Sequence, residues 1–395
     1  VNPPLNISAL TVTSALGRGL DAHYHALRHH QGGLRACDFA GVELETWIGR
    51  VDGLEHEPVS GALAEYDCRN NRLARVGLNQ DGFAERVATA VRRYGGQRIG
   101  VFIGTSTSGV QQTELAYARI DAQGGLPHDF IYLTTQNTFS VADYTRSALG
   151  LSGVAHVAST ACSSSAKVFA TAHRFMQAGL CDAAVVGGVD SLCQMTLYGF
   201  NALQLVSRYP CRPADQNRDG ISIGEAAGFA LLEWGDVGSA FTLLGYGESS
   251  DAYHMSTPHP EGDGALQAMS AALQRAGLQA DEIDYINLHG TATPANDRAE
   301  DRAVMRLFDG QVACSSTKGF TGHTLGASGI VEVAFAALAL EHQFLPGSIN
   351  TMRIDETIAS PIVLTPRTAR VQRVMSNSFG FGGSNASLII GKGVA

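Results

Sequence analysis

Val157-Ala158-Ser159-Thr160-Ala161-Cys162-Ser163-Ser164-Ser165-Ala166 is a short apolar stretch that ends in small residues and then turns helical. Val168, Phe169, Ala172, Phe175 and Met176 recur after it at helical spacing, and Gly179 is placed to stop the helix. A thiol at the start of a helix faces backbone N–H groups and the positive end of the helix dipole, which favour its thiolate. Cys162 therefore reads as a nucleophile presented at a strand-to-helix elbow, or as a small core residue, the commoner fate of a free cysteine. This segment alone leaves both readings open.

Working outward, strand-like runs alternate with helical ones along the whole chain, which predicts an α/β architecture. Arg98–Gly104, Ala183–Gly188 and Ala227–Trp234 read as buried strands in the first half. Phe241–Gly247, Ile283–Leu288, Val312–Ser316 and Val374–Phe379 supply the second, with helices such as Gly264–Ala276 between them. Charged and turn-rich residues over Glu233–Ala240 mark the boundary between two halves, 1–236 and 237–395. Arg28–Tyr66 is irregular, and neither an internal repeat nor a low-complexity tract is evident by eye.

With 395 residues, 45% hydrophobic and 16% charged, the chain can bury a large core and is not a disordered polymer. The net charge of −9 argues against nucleic acid as a partner, so an acidic partner would need a local basic patch. The seven cysteines form no CxxC pair, so neither a disulfide framework nor a zinc site is indicated. No apolar run of transmembrane length and no signal peptide are read, and a cytoplasmic location is expected. The 45 glycines cluster near the segments described next, where close backbone approach to a ligand is expected.

Three further segments share the pattern of an apolar strand, small residues and then a polar side chain. They are Tyr285–Pro294 (YINLHGTATP), Ser315–Gly329 (SSTKGFTGHTLGASG) and Asn377–Asn385 (NSFGFGGSN). A single histidine after a strand is usually structural. His289, His323 and a thiol, all on strand-end loops, point to one site, because ligands bind at the carboxyl ends of strands in open α/β sheets.

In this order, TACSSS, HGTAT, KGFTGHTLGASG and NSFGFGGSN resemble the β-ketoacyl-acyl carrier protein synthases, condensing enzymes of the thiolase superfamily. Arg218-Asp219-Gly220 and the following Gly224-Glu225-Ala226-Ala227-Gly228 resemble the family's acidic turn and glycine-rich strand. The likeness runs from about Arg98 to the C-terminus. It implies a thiolase-like fold, two similar α/β halves in an α-β-α-β-α layering, and an enzyme that works as a dimer.

The same resemblance implies that Cys162 takes up an acyl chain from a carrier thioester and that the N–H groups of Cys162 and Phe381 hold the oxyanion. His289 and His323 match the pair that hydrogen-bonds the malonyl thioester oxygen after decarboxylation, so no metal or organic cofactor is expected. Lys318 matches a lysine that orients or polarises that pair. Glu332, in the apolar run Gly329–Leu340, is expected to be buried and partnered in a supporting role. Thr291 and Thr293 match the hydroxyls that hold the carrier's phosphopantetheine arm. Phe381 matches an aromatic gate between two substrate sites, plain core packing being its other reading. Arg69, Arg72 and Arg75, at helical spacing, fall where the family carries basic residues that dock an acidic carrier protein, and also fit a solvated helix face.

Departures bear on the substrate. Cys162-Ser163-Ser164-Ser165 looks more like polyketide-type enzymes, Ala295-Asn296-Asp297 differs from the usual Gly-Asp, and Ile7–Gly17 lacks the glycine-rich opening of fatty-acid members. Fatty-acid and polyketide or polyene synthesis therefore both stand as pathways. The partner is expected to be an identical chain or a ketosynthase-like paralogue. A Cys-His thioester hydrolase and a chain-length-setting subunit are the alternatives. Two histidines and an intact cysteine weigh against them.

Overall fold

The computed structural model describes residues 5–235 and 237–393; the expected boundary residue 236 and the outermost residues of both halves lie outside this set. Five principal strands of the large sheet precede the boundary: β1 (Leu5–Ser14), β2 (Ile99–Gly104), β3 (Ala155–Ala158), β4 (Ala183–Asp190) and β5 (Ala226–Trp234). Five follow it: β6 (Phe241–Ser250), β7 (Tyr285–Asn287), β8 (Ala313–Ser315), β9 (Arg373–Gly380) and β10 (Ser384–Lys392). Helices α1 (Leu20–Arg28), α2 (Arg69–Leu78), α3 (Phe83–Tyr94), α4 (Val110–Tyr117), α5 (Ser140–Ala148), α6 (Ser164–Gln177) and α7 (Gln194–Ala202) belong to the first half. Helices α8 (Asp263–Ala276), α9 (Pro294–Phe308), the short α10 (Lys318–Thr321) and α11 (Ser328–His342) belong to the second.

The strands lie in the order β3-β2-β4-β5-β1-β6-β10-β9-β7-β8. This order is a repeat. In each half the second strand in sequence runs parallel to the third and the fourth. In each half the fifth strand runs antiparallel to the fourth and to the first. The repeat invisible in the sequence is therefore present in the topology. Buried strands need only apolar residues of suitable shape, so two copies can keep one chain path while sharing few residue identities. The first strands of the two halves pair antiparallel through Leu5, Asn6 and Ile7, which joins both sheets edge to edge.

Helices α6 and α11 pack against strands of both halves and form a central layer. One core cluster lies there, built on Phe102, Phe169, Ile330, Phe335 and Ile390. A second, with Leu73, Phe83, Val101 and Phe229, lies under α2, α3 and α5; a third, with Met269, Ile286 and Val304, lies under α8 and α9. The layering is α-β-α-β-α. At the crossing of α6 and α11, a β-carbon on Gly329 would stand 2.6 Å from the Ala166 backbone nitrogen, so only glycine permits that approach.

Leu325–His342 does have the length and mean hydropathy, 1.4, of a membrane span, contrary to the expectation that no run reaches it. It is 89% buried within the protein, because a central-layer helix is surrounded by apolar neighbours on all sides. Each strand predicted from sequence coincides with an observed strand to within about three residues at its ends. Strands β1 and β10 were not predicted. Both are buried almost along their length, so they show no alternation of polar and apolar residues to read. The irregular Arg28–Tyr66 region holds short strands, Arg35–Ala36 and Trp47–Gly49, the latter pairing with Ile223–Gly224.

Candidate active site

The parallel strands of each half end in register: Gly104 stands opposite Ala158 and Gly188, and Asn287 opposite Ser315 and Ser376. Loops leaving these ends therefore converge. After β3 the chain enters a tight turn, Ala161–Ser163, where Ala161 takes a left-handed φ of 51° and Ser164 opens α6. Ser164 Oγ donates to the Ala161 carbonyl and accepts from the Thr160 N–H, closing the turn. Cys162 sits in it, buried, just ahead of the helix.

His323 follows α10, its backbone N–H donating to the Ser222 carbonyl at 2.7 Å. Its Nε2 lies 3.0 Å from Cys162 Sγ. On the other side of the ring, Leu325 N–H donates to Nδ1 at 3.3 Å and Ser328 Oγ lies 3.0 Å from it. An amide can only donate, so Nδ1 is an acceptor and the ring proton resides on Nε2, facing the sulfur.

His289 follows β7. Glu300 on α9 holds its loop, with one carboxylate oxygen accepting from the His289 N–H and the other from the Gly290 N–H, both at 2.8 Å. The Asn377 amide donates to the same carboxylate at 3.1 Å. The His289 ring meets His323 edge-on at 5.4 Å between centroids and Phe379 at 5.8 Å, and its Nδ1 makes no protein hydrogen bond. Sγ of Cys162 and one nitrogen of each ring lie within 4.8 Å of one another, the sole such set of potential metal ligands among the described residues. The proton that Leu325 places on His323 Nε2 suits that nitrogen to hydrogen-bond donation rather than to ligation.

Lys318 is buried, and its ammonium forms an ion pair with Glu332, buried likewise on α11. Burial holds both imidazoles well below their ordinary range, with Lys318 pushing the same way, so both rings are neutral. Burial pushes the Glu332 carboxyl up to about 7, with Lys318 opposing. For Cys162 burial pushes the thiol up to about 12, against Lys318 and the N–H groups of Phe381 and of Cys162 itself. The thiolate expected from a helix start is thus not the resting form. Desolvation behind a closed wall outweighs the dipole.

The Phe381 N–H faces that sulfur because Gly380 brings the loop in: a β-carbon on Gly380 would lie 2.8 Å from the Thr160 carbonyl. Phe381 is half-buried, and its ring stands 5.6 Å from that of Phe200 on α7. Both border a cavity of roughly 350 Å³ that reaches Cys162, His289 and His323. Thr291 and Thr293 line it as well, their hydroxyls 2.8 Å apart.

Of the three arginines, Arg69 does not fit a docking row. Arg69 is only 7% exposed, and its guanidinium bridges Glu225 at 2.6 Å and Glu55 at 2.7 Å. It is an interior ion-pair residue, because the helix face that carries it turns toward the Gly224-Glu225 segment. Arg72 is paired with Asp67 and Arg75 with Glu57. Arg218 is likewise buried, between Asp297 and Asp355.

Several supporting residues escaped the sequence reading. Glu300 carries a signal, an acid on the buried face of α9. Asp190, at the end of an apolar strand, accepts from Ser106, Thr107 and Gly326 N–H groups and so ties loops of both halves together. Leu325 acts through its backbone and leaves no signal at all.

The sequence matches "Beta-ketoacyl synthase, N-terminal domain" over residues 75–236 and "Beta-ketoacyl synthase, C-terminal domain" over 240–352. It is 40% identical over 260 residues to 3-oxoacyl-[acyl-carrier-protein] synthase 2 of Rhizobium meliloti, covering 61% of each chain. It is 30% identical over 379 residues to the protein of that name in Staphylococcus aureus strain COL, covering 87% of this chain and 91% of the relative. Among solved structures it resembles a ketosynthase in complex with its chain length factor from Xenorhabdus doucetiae, at TM-score 0.90 and 37% identity, over 99% of this chain and 98% of the other. A beta-ketoacyl synthase from Burkholderia phymatum is similar at TM-score 0.90 and 25% identity, over 99% and 100% of the two chains.

Proposed function

The chain belongs to the β-ketoacyl synthase family and has its thiolase-like fold, and from that premise we propose that it is a 3-oxoacyl-acyl carrier protein synthase, an acyltransferase that condenses a Cys162-bound acyl chain with a malonyl-carrier thioester. The observation that carries this is the approach of His323 Nε2 to Cys162 Sγ at 3.0 Å with a proton between them and His289 alongside.

In the first half-reaction the Cys162 sulfur bonds the acyl carbon, the carrier's thioester C–S bond breaks, and the thiol proton leaves with the pantetheine sulfur. The N–H groups of Cys162 and Phe381 stabilise the tetrahedral oxyanion. In the second, the malonyl carboxylate leaves as CO₂ and its bonding pair forms an enolate. Neutral imidazoles are suited to this step, since each offers an N–H to the enolate oxygen without protonating its carbon. The enolate carbon then bonds the acyl carbon, the C–S bond to Cys162 breaks with its pair left on sulfur, and the sulfur takes a proton from solvent to restore the resting thiol. The two imidazoles carry this charge in the reading, and no metal or organic cofactor is required by it. A thioester hydrolase would need His323 as a base toward water, but Nδ1 is occupied by Leu325 and Nε2 carries the proton.

An acyl carrier protein bears the substrate in this mechanism, with Thr291 and Thr293 toward its pantetheine arm. The enzyme forms a dimer with an identical chain or a paralogue. In support of the dimer, β3 is an open sheet edge, and Leu115, Tyr117, Tyr132 and Leu133 expose about half or more of their surfaces. One similar solved structure is itself a ketosynthase with its chain length factor. That likeness and Cys162-Ser163-Ser164-Ser165 favour a polyketide or polyene pathway over bulk fatty-acid synthesis. A reducing cytoplasm accords with seven unpaired cysteines.

Intact-mass measurement after mixing with acyl-carrier thioesters tests the assignment. Cys162→Ala should take up no acyl group. His289→Ala and His323→Ala should acylate yet lose condensation by about a hundredfold or more. An acyl adduct retained by Cys162→Ala would overturn it.

A further inference from the structure

Glu114 lies on α4, and its side chain leaves that helix to reach the N-terminus of α7. One carboxylate oxygen accepts from the Met195 N–H at 2.6 Å and the other from the Gln194 N–H at 3.1 Å. Cys193, at the cap position of α7, turns its thiol to Thr196 further into the turn and leaves the Gln194 and Met195 amides to Glu114. The first amides of α7 therefore depend on a carboxylate from another helix, which also meets the positive end of the α7 dipole.

Helix α7 carries Phe200, whose ring stands 5.6 Å from Phe381 at the wall of the catalytic cavity. Phe200 packs as well against the apolar group that contains Leu197, Ile221 and Leu325. The Phe200–Phe381 contact therefore links the placement of α7 to the wall of that cavity. At its other side, α4 exposes Leu115 and Tyr117.

We propose that Glu114 is a positioning residue that holds α7 so that Phe200 keeps Phe381 between the acyl-thioester and the arriving malonyl unit. The inference rests on the condensing reading of the site. It adds that the order of the two half-reactions is enforced from a helix lying outside the reacting groups.

A structural role alone would lower every rate together. A positioning role changes the ratio of malonyl-carrier decarboxylation to carbon–carbon bond formation, because a loosened gate admits and decarboxylates malonyl units that find no acyl partner. In Glu114→Ala that ratio should rise about tenfold while Cys162 acylation stays within about twofold. Phe200→Ala should reproduce the rise, and the double variant should add nothing to either single change. Where Glu114→Ala fails to fold, Glu114→Gln, which keeps one acceptor, carries the test. A rise of about threefold or more supports the proposal and an unchanged ratio overturns it. An unchanged ratio in the Glu114 variants beside a raised one in Phe381→Ala overturns this inference and leaves the condensing reading intact. Failure of the unaltered protein to take acyl groups onto Cys162 overturns that reading instead.

Discussion

Ala161 and Leu325 hold the same left-handed backbone angle, φ 51° and 53°, each three residues before the first residue of a helix in the central layer. They occupy corresponding points of the two halves. In the first half the next residue is Cys162. In the second it is Gly326, whose N–H is held by Asp190 at 2.6 Å, while Leu325 turns its own N–H toward His323. One strained turn is used twice, once to present a sulfur and once to orient an imidazole.

Ala161 bears the β-carbon clash of the left-handed region as Leu325 does, and neither side chain is branched at that carbon. Ala161→Val should cost about 1–2 kcal/mol in urea unfolding and slow acyl loading, since a β-branched residue resists positive φ. Ala161→Gly should stay within about 1 kcal/mol of the parent. Equal stability of the valine and glycine variants would show that the turn is not strained.

Cys162 is buried with its thiol pushed up to about 12. Its alkylation by iodoacetamide in the free protein should rise close to tenfold per pH unit from about pH 7 to 10 with no plateau. A plateau below about pH 9 would mean that the dipole and the N–H groups outweigh burial after all.

Lys318 and Glu332 are a buried pair. Glu332→Leu strands the ammonium and should cost about 3–5 kcal/mol, whereas Lys318→Met/Glu332→Leu should recover most of that loss. Removing the cation also removes its repulsion toward imidazolium, so the His289 and His323 pKa values should rise in the double variant, read by NMR titration of the ring protons. Unmoved ring titrations would separate Lys318 from the histidines.

His23 on α1 is wholly buried between Ser14 Oγ and the Gly19 carbonyl, and burial lowers its pKa to about 4. The unfolded chain binds a proton at His23 more readily between about pH 6.5 and 4, so its contribution is full above that window and is lost as pH falls through it. The loss amounts to about 3 kcal/mol, and His23→Gln should flatten the corresponding limb of the stability profile. An identical acid limb in that variant would assign it to other groups.

The loops that make the site were legible because each carries a local mark: an apolar strand, small residues, then one reactive side chain. Glu332 was legible for a related reason, since a lone carboxylate in GIVEVAFAALAL must be buried. Arg69 was not. Its spacing with Arg72 and Arg75 suits a solvated face equally well, and what separates the readings is Glu225, 156 residues away.

Most of the strands, the two central helices, and the thiol and imidazoles that end the converging loops could be read from the chain alone, because periodicity, glycine-bounded turns and motif order are properties of neighbouring residues; the wholly buried β1 and β10 carry no such pattern. Tertiary structure alone decided the doubled topology, the inward turn of Arg69, the proton position on His323 and the neutral state of Cys162. Those depend on partners far apart in the chain, as Cys162 and His323 are at 161 residues, and on desolvation summed over both halves, which no local pattern records.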